Sequence, residues 1–232
     1  MTALSIRRFD SREELDAALA ARLGRALAGS AGAAATPALM LSGGTTPMPA
    51  YRELGARRPT PGAGVHILFT DERYVPETSS ASNYHQSRPL LDALGLPATQ
   101  LLRVRTELPL PQAAADYERR LAGLLQSAAG VGVGLLGLGV DGHTASLFGA
   151  ADLEHARGHL AIAVQRPDGM SAVSVTPGFL AQVREPVFVV AGAGKEQAVR
   201  RLMARDPQLT AWAAVQGCAA VELWLDQAAA GA

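Results

Sequence analysis

Residues 135–149 read L-L-G-L-G-V-D-G-H-T-A-S-L-F-G and hold the strongest candidate for chemistry in the chain. An apolar run, Val131 to Leu138, enters a glycine-rich turn in which Asp141 and His143 lie two residues apart. Imidazole titrates nearest neutral pH, so His143 at the end of a buried strand reads as a general base. The competing reading is a hydrogen-bonded structural histidine. Asp141 stands near enough either to fix the imidazole tautomer and raise its basicity or to brace the loop. In an α/β sheet, the carboxyl ends of strands are where ligands bind.

Three more strand ends carry polar groups. Ser42-Gly43-Gly44-Thr45-Thr46 lies between a strand and a helix N-terminus. Its backbone N–H groups, the helix dipole and the hydroxyls suit a phosphate, although the lysine of a nucleotide-binding P-loop is missing. Asp71-Glu72-Arg73 follows another strand, with Arg73 suited to an anion and Asp71 or Glu72 to sugar hydroxyls; a solvated charged turn is the alternative. Lys195, in Gly192-Ala193-Gly194-Lys195, could set an ammonium on the same anion or lie free on the surface. The run Gly137 to Gly142 matches G-x-G-x-x-G, but no acidic strand end follows about twenty residues later to take a ribose, so a dinucleotide is not expected. His155 and His159 have zinc-helix spacing, yet Gly158 weakens that helix and no third ligand presents itself, so no metal is expected. His66 and His85 read as filler, and Trp212 and Trp224 as core.

These groups need a scaffold of alternating strands and helices. Strands are expected at Leu4–Phe9, Ala38–Leu41, Val65–Phe69, Val131–Leu138, Leu160–Val164, Ala172–Thr176, Val187–Ala191 and Val221–Leu225. Helices are expected from an Asp10 or Ser11 cap to Ala28, from Pro47 to Arg57, over Tyr84–Leu94 and Leu108–Ala129, from Thr144, at Pro177, and from Gly192 to Ala204. The Gly29–Thr36 connection is low in complexity, and the alanine-rich end reads as a frayed tail. Strands apolar on both faces imply a largely parallel sheet covered by helices on both sides, in one domain spanning 1–232.

Composition narrows the function class. Lys plus Arg and Asp plus Glu balance at 21 each, which argues against a nucleic-acid partner. Cys218 stands alone, so neither a disulfide framework nor a cysteine metal cluster is available. The stretch Ala128 to Val140 is too short and glycine-rich to span a bilayer, and the N-terminus lacks the apolar core of a signal peptide. A cytoplasmic globular protein is the expectation, as a monomer or dimer.

Taken together, S-G-G-T-T-P (42–47), F-T-D-E-R-Y-V-P (69–76) with S-N-Y (82–84), G-L-G-V-D-G-H-T-A-S-L-F (137–148), V-F-V-V-A-G-A-G-K (187–195) and E-L-W-L-D-Q-A-A (222–229) resemble, in order and spacing, the 6-phosphogluconolactonases. Those belong to a larger group with glucosamine-6-phosphate deaminases and sugar-phosphate isomerases, on a Rossmann-like α/β scaffold. The resemblance implies hydrolysis of 6-phospho-D-glucono-1,5-lactone, the second step of the oxidative pentose phosphate pathway, with no cofactor or metal. By matching motif, His143 would be the base with Asp141 beside it and Asp71 in the pocket. Gly43, Gly44, Thr45, Arg73 and Lys195 would surround the phosphate and substrate.

Two positions depart from the family pattern. Ala172 stands where an arginine usually helps to bind phosphate, so Arg166 or another cation must substitute or the grip is weaker. Gly149 replaces a common proline, from which a looser turn is expected. Deaminases carry an acidic residue shortly after this histidine, where Ser146, Leu147 and Phe148 stand here, and that favours the lactonase. The rivals are an isomerase or deaminase using Asp71 as base, and a non-catalytic sugar-phosphate sensor. The sensor is the weaker, since His143 is intact and no DNA-binding segment is expected before Leu4.

Overall fold

A computed structural model describes residues 2–29, 36–126 and 130–231. Most of the Gly29–Thr36 connection and the Ala129 end of the expected helix Leu108–Ala129 lie outside the described residues. The strands are β1 (Ala3–Phe9), β2 (Ala38–Leu41), β3 (Ile67–Phe69), β4 (Asp71–Arg73), β5 (Leu101–Leu102), β6 (Val131–Leu136), β7 (Ala161–Gln165), β8 (Ser171–Val175), β9 (Val183–Val190) and β10 (Ala220–Asp226). Seven of them form a parallel sheet in the order β1-β10-β9-β6-β2-β3-β5. The mostly parallel, helix-covered architecture expected from the strand pattern is therefore present.

Alternating side chains of the central strands feed two separate cores, as a two-sided sheet requires. Met40, Phe188, Val190, Leu223 and Leu225 pack on one face. Leu39, Leu41, Val187, Val189 and Trp224 pack on the other, with Leu15, Leu19, Leu23 and Leu27 of the helix Arg12–Ala28. That helix starts as expected, with the Ser11 hydroxyl accepting from the Glu14 N–H and Glu13 and Glu14 in its first turn.

After β2 the chain builds outward through β3 and β5, then returns across β2 to lay down β6 and continue through β9 to β10. The loops after β2 and β6 thus leave adjacent strands in opposite directions, and an open crevice forms at such a switch point. Topology alone brings residues 42–47 and 137–143 together.

Several expectations are corrected. Asp71-Glu72-Arg73 is not a turn but β4, the edge of a second, antiparallel sheet in the order β4-β8-β7. Thr70 joins the two sheets: its N–H donates to Leu41 O at 2.9 Å and its carbonyl accepts from Val175 N–H at 2.8 Å. No helix starts at Thr144; residues 144–147 form a tight turn, and the helix begins at Ala150 (Ala150–His155). The expected helix Tyr84–Leu94 is two short pieces, Asn83–Gln86 and Arg88–Leu94. A helix at Thr210–Val215 and strand β5 were not expected. The tail is helical rather than frayed over Gln227–Ala230, because Asp226 caps it through Ala229 N–H and Ala229 is buried. No helix among the described residues is long and apolar enough to cross a membrane.

Candidate active site

A cleft of about 310 Å³ opens at the switch point. It is walled by the turn after β2, the turn after β6, the ends of β4 and β9, and the β7–β8 hairpin. Of the residues that the family resemblance assigns to the site, Gly43, Gly44, Thr45, Asp71, Arg73, His143 and Lys195 line it directly. Asp141 stands immediately behind His143.

The 42–47 turn meets the requirements of an anion cradle. Among the described residues, none of the N–H groups of Gly43, Gly44, Thr45 or Thr46 donates within the protein. These donors stand before the helix Met48–Ala56, whose dipole adds partial positive charge. Gly44 has φ +82°, a left-handed geometry that glycine adopts without strain. The turn is fastened from below by Tyr51, whose phenol donates to Ser42 O at 2.9 Å and accepts from Ser42 N–H at 3.2 Å. Tyr51 is fully buried, and burial raises its pKa, so the phenol keeps its proton. Tyr51→Phe strands two buried backbone groups and should cost about 1–3 kcal/mol of unfolding free energy. Chemical denaturation reads this directly, and an unchanged midpoint would remove the fastening role.

The turn after β6 holds the imidazole. Asp141 Oδ1 lies 2.6 Å from His143 Nδ1 and accepts the His143 backbone N–H at 3.2 Å. The contact that sequence left open between Asp141 and His143 is therefore made. A carboxylate at Nδ1 selects the tautomer protonated there and leaves the Nε2 lone pair free. Burial alone would raise the Asp141 pKa, but the hydrogen bonds from the His143 ring and backbone, with the histidine's charge, hold it below the usual carboxylate range. The His143 side chain is 27% exposed, so the ring is open to the cleft and not sealed in the core. The ring lies tilted against Phe148, with centroids 4.5 Å apart. Gly139 makes the arrangement possible, since a Cβ there would lie 2.1 Å from His143 Nδ1 and 2.3 Å from Asp141 Oδ1.

The second sheet supplies the opposite wall. Asp71 is buried, accepting the Thr70 hydroxyl at 2.9 Å on Oδ1 and the Ser146 hydroxyl at 2.7 Å on Oδ2. Both oxygens are engaged in holding the wall. Arg73 Nη1 donates to Asn83 Oδ1 at 2.6 Å and to Ala81 O at 3.1 Å. Glu72 faces away from the cleft and gathers four donors: the Arg73, Asn83 and Tyr84 N–H groups and the Ser82 hydroxyl. Burial pushes its pKa up, against the pull of those bonds.

Ala172 pairs directly across from Arg73 and is fully buried. Arg166, leaving β7, reaches the cleft instead. Its Nη1 donates to Ser146 Oγ at 3.2 Å, its other edge pairs with Asp168, and its guanidinium lies 5.2 Å over the Phe148 ring. A cation thus stands in the wall beside Ala172, supplied by the hairpin and not by β8. The turn at Gly149 is closed rather than loose, because Asp152 Oδ2 accepts from the Phe148 N–H at 2.7 Å and the Gly149 N–H at 3.3 Å.

Lys195 lies in a 3₁₀ turn, Ala193–Lys195, after β9. Its Nζ donates to Leu138 O at 2.7 Å, which aims the ammonium along the β6 turn. Burial lowers its pKa below the ordinary lysine value, partly offset by the charge of Asp141. The Gly142 and Gly139 N–H groups are spent within the turn and are not available to an oxyanion. Gly142 N–H donates to Gly139 O and Gly139 N–H to His143 O. Sequence reasoning missed Asn83, Ser146 and Phe148, although all three lie inside the quoted motifs. His155 ends a short helix, while His159 sits beyond it against Glu118, so the two do not share a helix face.

Residues 10–224 match the family described as Glucosamine-6-phosphate isomerases/6-phosphogluconolactonase. The chain belongs to this family. A 6-phosphogluconolactonase of Nostoc sp. (strain PCC 7120) is 36% identical over 202 residues, covering 84% of this chain and 83% of the relative. The 6-phosphogluconolactonase of Homo sapiens is 35% identical over 206 residues, covering 84% and 80%. The crystal structure of 6-phosphogluconolactonase from Thermotoga maritima superposes with a TM-score of 0.80 at 24% identity, over 98% of this chain and all of that one, a likeness in fold. Within the glucosamine-6-phosphate isomerase/6-phosphogluconolactonase family, this chain carries a hydroxyl, Ser146, three residues after its cleft histidine and turns it onto Asp71.

Proposed function

We propose that this chain hydrolyses 6-phospho-D-glucono-1,5-lactone to 6-phospho-D-gluconate in the oxidative pentose phosphate pathway, with His143 as general base. The observation that carries the reading is the Asp141–His143 pair at the cleft, with Nδ1 engaged and, among the described residues, no partner on Nε2. A lactone carbonyl is electrophilic, so water can attack C1 without a covalent nucleophile. His143 takes a proton from that water as the new C–O bond forms. The imidazolium returns the proton to the ring oxygen as the C1–O bond breaks, leaving the carboxylic acid, which ionises. Cations in the cleft take the developing oxyanion, and the free N–H groups of residues 43–46 take the phosphate. Binding the distant phosphate orients C1 against the water.

The family also contains isomerases, which move a proton from carbon. Here Asp71, the carboxylate they would need, has both oxygens occupied by hydroxyls. An assay for 6-phosphogluconate formed from freshly generated lactone, with the spontaneous rate subtracted, tests the proposal. Ammonia release from glucosamine 6-phosphate without lactone turnover would replace it with the deaminase reading.

Lys195 is assigned to the anion. Lys195→Ala should raise KM about 10- to 100-fold, as expected for the loss of a charge-assisted bond, with a smaller effect on kcat. A defect confined to kcat would contradict the assignment. Because its pKa is lowered, the ammonium loses its proton at a lower pH than a free lysine. Product affinity in the wild type should therefore weaken with rising pH before the ordinary lysine range, and this alkaline limb should be missing in Lys195→Ala.

A further inference from the structure

We propose that Asn83 is the positioning residue of the anion-binding half of the cleft, locking Arg73 to the phosphate cradle through its side-chain amide. The inference rests on the lactonase reading. Asn83 is 1% exposed and comes from the short helix Asn83–Gln86, outside the sheet ends that supply the other cleft groups. Its Oδ1 accepts from Arg73 Nη1 at 2.6 Å, and its Nδ2 donates to the Asp71 carbonyl at 2.8 Å. The same Oδ1 lies where a Cβ on Gly43 would approach to 1.9 Å, so the carboxamide is seated against the α-carbon of the cradle. One side chain therefore sets the separation between Gly43 and Arg73.

The residue type follows from what it must do. The position faces a cationic donor on one side and a carbonyl acceptor on the other, and a side-chain amide offers both an acceptor and a donor. A carboxylate there would oppose the Asp71 carbonyl and neutralise Arg73, cancelling the charge meant for the ligand. An apolar residue would leave both partners unpaired in a buried place. With the amide in place, Arg73 is held through Nη1 among the described residues, and its Nη2 makes no hydrogen bond to them. Glu72 holds the amide in turn, accepting the Asn83 backbone N–H at 2.7 Å and fixing the turn that carries it.

The test compares binding of 6-phospho-D-gluconate and of D-gluconate by ligand-detected NMR, in the wild type and in Asn83→Asp. Asn83→Ala serves if Asn83→Asp does not fold. The expected result is a 10- to 100-fold loss of 6-phosphogluconate affinity, with D-gluconate affinity changed by less than about threefold. In an Arg73→Ala background, Asn83→Asp should add little. Unchanged 6-phosphogluconate binding overturns the inference, and so does an equal loss for both ligands, which would mark a merely structural role. A wild type that fails to bind 6-phosphogluconate removes the lactonase reading itself, and this inference with it.

Discussion

Replacing His143 with alanine should lower kcat by about 10²- to 10⁴-fold, the usual contribution of a positioned general base. Folding should remain intact. The ring stands at the rim, 27% exposed, and its removal uncovers only one face of Phe148. The phosphate end of the cleft does not involve the imidazole, so product affinity should stay close to wild type. Circular dichroism and product binding would confirm a folded, binding-competent variant. Turnover near the wild-type rate, after subtraction of spontaneous hydrolysis, would end the catalytic assignment.

Gly139→Ala should disable the same pair without altering either functional group. The glycine's φ is outside the left-handed region, so the backbone accepts alanine without strain. The new methyl would fall 2.1 Å from His143 Nδ1 and 2.3 Å from Asp141 Oδ1. Both neighbours are ends of side chains that can rotate away, so the cost falls on the geometry of the pair and not on the core. A displacement of about 1 Å at a reacting centre can cost 10²-fold in rate, and a loss of kcat of about that size is expected, with only the modest fall in melting temperature at neutral pH that parting the pair brings. A fully active Gly139→Ala enzyme would show that the Asp141–His143 contact is dispensable.

The two variants distinguish possession of a base from its alignment. They also bear on acid stability. Asp141 has a lowered pKa, so its contribution to folding is complete above the unfolded carboxylate pKa and is lost as pH falls through the lower, folded value. Gly139→Ala, with the pair parted, should lose this advantage, and its unfolding midpoint should converge on that of the wild type in strong acid.

The β7–β8 hairpin places a cation at the cleft although Ala172 carries none. Ala172 lies on β8 and Arg166 just past β7, the two strands of one hairpin, and of the two only Arg166 lines the cleft. Hairpin geometry brings a cation from the turn to the cleft although β8 carries an alanine at this position. Asp168 fixes the guanidinium from behind, and Phe148 supports it from below.

The parallel strands, the glycine-rich turns that follow them, and the histidine, lysine and hydroxyls those turns carry could all be read directly from the chain. Each depends on signals within a few residues: apolar runs, glycine breaks, and caps such as Ser11. What only the tertiary structure decided is pairing across long separations. Asp71 meets Ser146, 75 positions away, and Tyr117 bonds the Phe69 backbone from 48 positions away. Asp71–Arg73 looks like a charged turn until β8 pairs with it, because a three-residue strand has no periodicity of its own to declare it. Even the contact between neighbours Asp141 and His143 depends on which way the turn folds. Sequence determined which chemical groups are present and at which strand ends; the sheet's order, through long-range burial and hydrogen bonding, determined which of them face one another.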